Sequence, residues 1–303
     1  MSSENSAPGG YSSPFIVEPT SQHTHSFILL HGLGSNGHQF GQELLETGVC
    51  SDGKKLTELF PGARFIFPTS KRRRSSAFSR AKLTQWFDIA SLEEPHHREN
   101  IQLKGLAESA QEIFSLIQEE SQKVPRENVI LGGLSQGCAM SICCLLACDF
   151  PIGGFIGMSG WLPFQPEIES LARSEDETHD SNNPFGSVED DPFASTDGQA
   201  NVDDDPIVSV VRFYRELLCL DDIENLSKDT SSLSTPVFLG HGDADEKVKV
   251  SLGEAAHRTL ELIGYNISWK AYQEQGHWYK IPEEINDIVK FIQERVGWNS
   301  VST

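Results

Sequence analysis

The sequence predicts an α/β fold, with a mainly parallel central sheet flanked by helices and a long acidic insertion. Three observations carry this. Short apolar runs recur, each about the length of a buried strand. Stretches with helical periodicity alternate with them. One run passes through a Gly-x-Ser-x-Gly turn into an apolar helix.

In chain order, residues 1–19 are rich in Ser, Pro and Gly and read as a disordered lead-in. A single domain is expected over residues 20–298, interrupted at about 165–234. Its strands are expected at Ser26–His31, at Arg64–Phe67 (stopped by Pro68), at Asn128–Leu131, Ile152–Met158, Pro236–Gly240 and Ile267–Tyr272. Helices are expected at Asn100–Ser121, where Ile101, Leu103, Leu106, Ala110, Ile113, Phe114 and Ile117 fall close to a 3.6 period, and at Gln136–Cys148, apolar nearly all round. Two more, at Leu252–Ile263 and Glu283–Val296, are amphipathic. The interruption holds 18 Asp/Glu against 4 Lys/Arg between Gln165 and Thr230. Its stretch Arg173–Asp205 reads as disordered, and Pro206–Leu220 is apolar enough for one docked helix.

The 303 residues carry 24 Lys/Arg against 44 Asp/Glu, a net charge of −20, so a nucleic-acid partner is not expected. No run is long and apolar enough for a spanning helix, and contact with a membrane surface would be transient. The N-terminus lacks the features of a secretory signal. Four of the six cysteines fall in Cys138–Cys148, poor geometry for a disulfide framework, so reduced thiols in the cytoplasm or nucleus are expected. Histidines do not interleave them at ligand spacing, and neither metal nor cofactor is expected.

Ser135 lies in Gly133-Leu-Ser-Gln-Gly137, between a strand and a helix. A serine on such a sharp turn presents its hydroxyl at the carboxyl edge of the sheet, at a helix N-terminus that favours developing negative charge. It needs a base and an orienting carboxylate, which in this arrangement follow in the order Ser, acid, His. Of ten histidines, His277 is the one in a loop after a late strand. Asp243 and Asp245 compete for the acid in His241-Gly-Asp-Ala-Asp245, and spacing does not separate them; one could brace the loop instead. The amides of Leu33, in His31-Gly-Leu-Gly34, and of Gln136 are candidates for an oxyanion hole.

These residues, together with Gln85-Trp-Phe-Asp88 and Met158-Ser-Gly-Trp-Leu-Pro163, resemble the acyl-protein thioesterase / lysophospholipase-carboxylesterase family of α/β-hydrolases over roughly Phe27–Val296, apart from the insertion. The resemblance implies an α/β-hydrolase fold, Asp245 as the triad acid, and Trp86 and Trp161 bordering the substrate pocket. It implies a serine hydrolase of palmitoyl-Cys thioesters on acylated proteins, or of lysophospholipids. Two departures stand out: the basic residues Lys71–Arg74, Arg80 and Lys82, and the acidic insertion. The basic loop leaves open a small, anionic metabolite ester as substrate. It also suggests that Pro206–Leu220 lies against it as a lid. A non-catalytic scaffold using the insertion is the alternative of another class. Oligomeric state is not legible.

Overall fold

The computed structural model describes residues 12–173 and 205–300. Its sheet has seven strands: β1 (Ser12–Val17), β2 (His25–Leu30), β3 (Ala63–Thr69), β6 (Val129–Leu134), β7 (Gly154–Met158), β8 (Val237–Gly242) and β9 (Ile267–Tyr272), in the order β1-β3-β2-β6-β7-β8-β9. All neighbours are parallel except β1, which runs antiparallel along β3. Strands β4 (Arg72–Arg74) and β5 (Lys82–Thr84) form a separate antiparallel hairpin.

Alternate strand residues face opposite layers, as a period of two requires. Ile28, Leu30, Leu131, Phe155 and Leu239 join one buried layer with α3 (Leu103–Ser121), α4 (Gln136–Leu146), α6 (Pro206–Leu217) and α7 (Val250–Leu262). Phe27, Leu29, Ile130, Ile156 and Phe238 join the other with α1 (Gly37–Thr47), the single turn α2 (Leu56–Leu59) and α8 (Glu283–Phe291). Consecutive parallel strands need crossovers, so the loops after β2, β6, β8 and β9 all emerge at one edge of the sheet. The chain order reverses between β2 and β6, where a crevice at the carboxyl edge is expected.

Four expectations change. The lead-in does not extend to residue 19, because Phe15, Ile16 and Val17 pair with Phe67, Ile66 and Phe65 as an edge strand. Pro68 does not end its strand. Pairing between β2 and β3 stops at Ile66, so beyond it Pro68 faces β1 alone, where a missing N–H is tolerated. The final helix gives way after Phe291 to a wider turn over Ile292–Val296, closed by Gly297 at φ 83°.

The fourth concerns the acidic segment. Residues 174–204, with most of the stretch expected to be disordered, lie outside the described residues. The flanks on both sides pack into the domain: α5 (Gln165–Arg173) buries Ile168, and α6 buries Ile207, Val208, Val210, Val211 and Tyr214. Asp205 caps α6 by accepting from the Ile207 amide, with Pro206 in the first turn. The Tyr214 hydroxyl donates to Pro163 O at 2.5 Å, and Arg215 Nη1 to Ala147 O at 3.0 Å, at the end of α4. A helix buried on that face cannot be the lid. The basic stretch instead meets α3, where Arg73 pairs with Glu108 at 2.5 Å.

Candidate active site

The loop between β6 and α4 holds Ser135 at φ 57°, ψ −122°, a conformation a side chain-bearing residue adopts only when its surroundings enforce it. Glycines on both sides make the turn possible. A Cβ on Gly133 would lie 2.6 Å from Leu30 O, and one on Gly137 would collide with the same carbonyl. The Ser135 amide donates to Met158 O at 2.8 Å, tying the turn to β7.

His277, in the loop after β9, brings its Nε2 to 2.8 Å from Ser135 Oγ. Its Nδ1 lies 2.7 Å from Asp245 Oδ2. The carboxylate can only accept there, so Nδ1 carries the proton and Nε2 accepts the serine hydroxyl. Asp245 Oδ1 in turn accepts the amides of Lys247 and Val248, at 2.8 and 2.9 Å. Burial would push this carboxyl up, but contacts with His241, His277 and the Val248 amide hold it well below the usual carboxylate range. Asp243, its competitor in the sequence, turns elsewhere. Its Oδ1 accepts the Glu274 amide at 2.6 Å and its own amide donates to Tyr272 O, stitching the two loops together.

Leu33 sits in the turn after β2. A Cβ on Gly32 would stand 3.4 Å from Ser135 Cβ, so this turn runs directly beside the serine. Its later amides are engaged, Gly34 N–H with Thr84 O and Ser35 N–H with Gly32 O. The amide of Gln136 lies in the first turn of α4 and has no intrahelical acceptor.

Trp86 and Trp161 do not border the crevice; both are buried in the core. Trp86 works from beneath, its Nε1 donating to His31 O at 2.8 Å, while Trp161 packs edge-on against Phe87. The sequence reading missed the brace they belong to. His31 Nδ1 donates to Gly32 O at 2.7 Å and its Nε2 accepts the Ser70 amide; burial lowers its pKa to about 4, so it stays neutral in that double role. The Gln136 side chain accepts from the Trp86 amide and donates to Phe87 O. The signal available in the sequence was polar residues beside an aromatic pair; only the fold shows which partners they find.

Beside Ser135 and His277 opens a groove of about 300 Å³, walled by Leu33, Phe40, Phe78, Leu92, Leu134 and Trp278, with Lys247 on its border. Among the described residues no group of three or more His, Cys, Asp or Glu is gathered as a metal site would need. All six cysteines are unpaired, and burial pushes the thiols of Cys138 and Cys148 up to about 12.

Residues 11–179 match the model of the phospholipase/carboxylesterase family. The chain belongs to this family. Residues 199–298, which include Asp245 and His277, also match the prolyl oligopeptidase family model. Among the family's relatives, acyl-protein thioesterase 1 of Gibberella zeae is 24% identical over 291 residues, 95% of this chain and 97% of the relative. Acyl-protein thioesterase 1 of Yarrowia lipolytica is 24% identical over 277 residues, 90% and 93% of the two chains. The crystal structure of Zea mays acyl-protein thioesterase 2 superposes with a TM-score of 0.64 at 22% identity, over 95% of this chain and 100% of that one. The Bacillus cereus carboxylesterase does so at 0.55 and 12%, over 95% and 96%. This membership of the phospholipase/carboxylesterase family makes the chain a serine hydrolase of acyl thioesters or esters. No helix among the described residues is long and apolar enough to cross a membrane.

Proposed function

We propose that Ser135 is the nucleophile, His277 the general base and acid, and Asp245 the carboxylate that orients it. The observation that supports this best is His277 standing between the other two, 2.8 Å from Ser135 Oγ and 2.7 Å from Asp245. Oγ attacks the acyl carbon as Nε2 takes its proton. The carbon–sulfur or carbon–oxygen bond then breaks, and the departing thiol or alcohol receives that proton. Water, deprotonated by the same nitrogen, frees the acyl group and restores Ser135. The amides of Leu33 and Gln136 receive the charge that develops on the carbonyl oxygen; one such donor lowers the barrier by about 3 kcal/mol.

The substrate in this reading is a long acyl chain, on a protein cysteine or a lysophospholipid. The apolar wall of the groove supports it, as do the names of the fungal relatives. Lys247 on the groove border favours, as a second reading, a small ester carrying negative charge. Six unpaired thiols support a reducing compartment, cytoplasm or nucleus, and intact-mass measurement without reductant tests that. A fluorophosphonate probe tests the chemistry: it labels the protein and not Ser135→Ala, whereas a non-catalytic scaffold takes no label. A p-nitrophenyl ester series from acetyl to palmitoyl tests the substrate, with kcat/KM rising along the series for the first reading and falling for the second.

A further inference from the structure

His241 is a histidine to which the proposed chemistry gives no task. It is the penultimate residue of β8, is buried, and stands four residues before Asp245. Its Nε2 lies 2.8 Å from Val248 O. A carbonyl oxygen only accepts, so Nε2 carries the ring proton. The same nitrogen is 3.4 Å from Asp245 Oδ2, the oxygen that receives His277 Nδ1–H. The N–H thus points chiefly at Val248 O and gives a longer, weaker arm to the carboxylate, the geometry of a bifurcated donor. Val248 closes the circle: its own amide donates to Asp245 Oδ1 at 2.9 Å.

We infer that His241 is a positioning residue for the hydrolysis, setting both the orientation of Asp245 and the strength with which it binds His277. It acts twice, through its N–H on Oδ2 and by pinning the carbonyl of Val248, the residue whose own amide holds Oδ1. The inference rests on the reading of Ser135, His277 and Asp245 as the reacting group. The imidazole has no freedom to turn away. Trp269 lies across from it with ring centres 6.3 Å apart, and a Cβ on Gly253 of α7 would collide with Nδ1. Glycine at 253 is what lets the ring reach Asp245.

The charged and titratable groups around this pair come from several elements. Lys247 lies on the same loop, and Cys138 of α4 borders the same small cavity as His241. His257 of α7 stacks on Trp269, and Glu284 of α8 lies behind Gly240. Asp245 is the acid within ion-pair distance of His241.

A donor on Oδ2 draws charge from the oxygen that stabilises the imidazolium of His277. Removing the donor therefore strengthens the carboxylate's hold on the protonated imidazole, and the acid limb of the kcat/KM–pH profile moves to higher pH. The test measures that limb with a short p-nitrophenyl ester for four forms of the full-length chain. His241→Leu removes the donor; His241→Gln keeps an N–H at similar reach; Gly253→Ala displaces the ring without touching Asp245 or Val248. Expected for the Leu and Ala variants are a kcat roughly 10- to 100-fold lower with little change in KM and a limb raised by about half a pH unit. The Gln variant returns most of both. An unmoved limb in folded Leu or Ala variants overturns the inference, as does a Gln variant as impaired as Leu. Should Leu not fold, Gly253→Ala and Gln still decide. A wild type that is inactive and unlabelled by fluorophosphonate refutes the underlying reading instead, so the two failures are distinguishable.

Discussion

Two carboxyl groups near the end of β8 are in opposite charge states, and the contrast shows what governs the active-site edge. Asp245, in the loop beyond the strand, is buried yet held ionised. Two amides donate to one oxygen and two histidines face the other. Glu284, on α8 behind Gly240, is also buried, but among the described residues only one of its oxygens finds a donor, the Lys280 amide at 2.9 Å. Burial and the nearby Asp287 push it up to about 8. Burial alone favours the neutral acid in both places; the number of N–H groups aimed at the carboxylate reverses the outcome. The donors of this edge converge on the carboxylate that faces His277.

The largest effect should come from breaking the charged member. Asp245→Asn replaces an acceptor of His277 Nδ1–H by a group that can donate, favouring the wrong imidazole tautomer. Steady-state assay should show kcat reduced by about 10⁴-fold with the fold intact. Asp243→Asn sharpens the comparison, because its carboxylate accepts the Glu274 amide, and His277 meets Asp245 instead. Its kcat should stay within about tenfold of wild type and its stability within about 1 kcal/mol. The reverse ranking in that pair of assays would transfer the orienting role to Asp243.

The neutral member should reveal itself in stability. Glu284 has its pKa raised from 4.5 to about 8, so the folded state binds a proton that the unfolded chain releases. That contribution is fully present below about pH 4.5 and is lost as pH rises through about 8, at up to about 1.4 kcal/mol per pH unit. Denaturant titrations across this window should show the fall in wild type and a flatter line in Glu284→Gln, which keeps an acceptor for the Lys280 amide. Equal slopes would mean that Glu284 is charged in the folded protein.

The same contrast explains which parts were legible beforehand. Ser135 and His277 could be read because their constraints are local: glycines that a sharp turn requires, and a loop after a late strand. The choice between Asp243 and Asp245 was not local, since it depends on where β9 delivers the Glu274 amide. Trp86 and Trp161 were misplaced because a large aromatic next to a motif reads equally as pocket wall or as core, and only burial separates the two. Helix α1 went unread: its sequence holds two glycines, and one of them, Gly41, is required by packing, since a Cβ there would press to 2.5 Å from the Phe67 ring. Helix α6 was visible in Pro206–Leu220 as a run of branched apolar residues, but not the face it would cover. Tyr214→Ala, which removes a fully buried ring and its bond to Pro163 O, should cost about 3–5 kcal/mol in a denaturation curve and leave the acid limb of the activity profile unmoved.

The smallest effects belong to the basic hairpin, where the lesson about partners recurs at the surface. Residues 72–74 alternate exposed, half-buried, exposed, as a short strand must. The middle one, Arg73, turns inward to Glu108 at 2.5 Å and donates to Gln85 O. Its neighbours Arg72 and Arg74 face solvent, on a hairpin whose loop carries Phe78 to the groove. Arg73→Ala should therefore lower stability by about 1 kcal/mol, the scale of a partly exposed ion pair with added hydrogen bonds. Changing Arg72 and Arg74 together to Gln should shift the midpoint by less than about 0.5 kcal/mol. Their effect should appear only in catalysis and only with charge on the substrate. For a neutral p-nitrophenyl ester kcat/KM should be unchanged; for one bearing a carboxylate it should fall, and the difference should shrink as salt shortens the Debye length below about 8 Å. A neutral ester that responds as strongly as the anionic one would mean that these arginines shape the groove rather than its field.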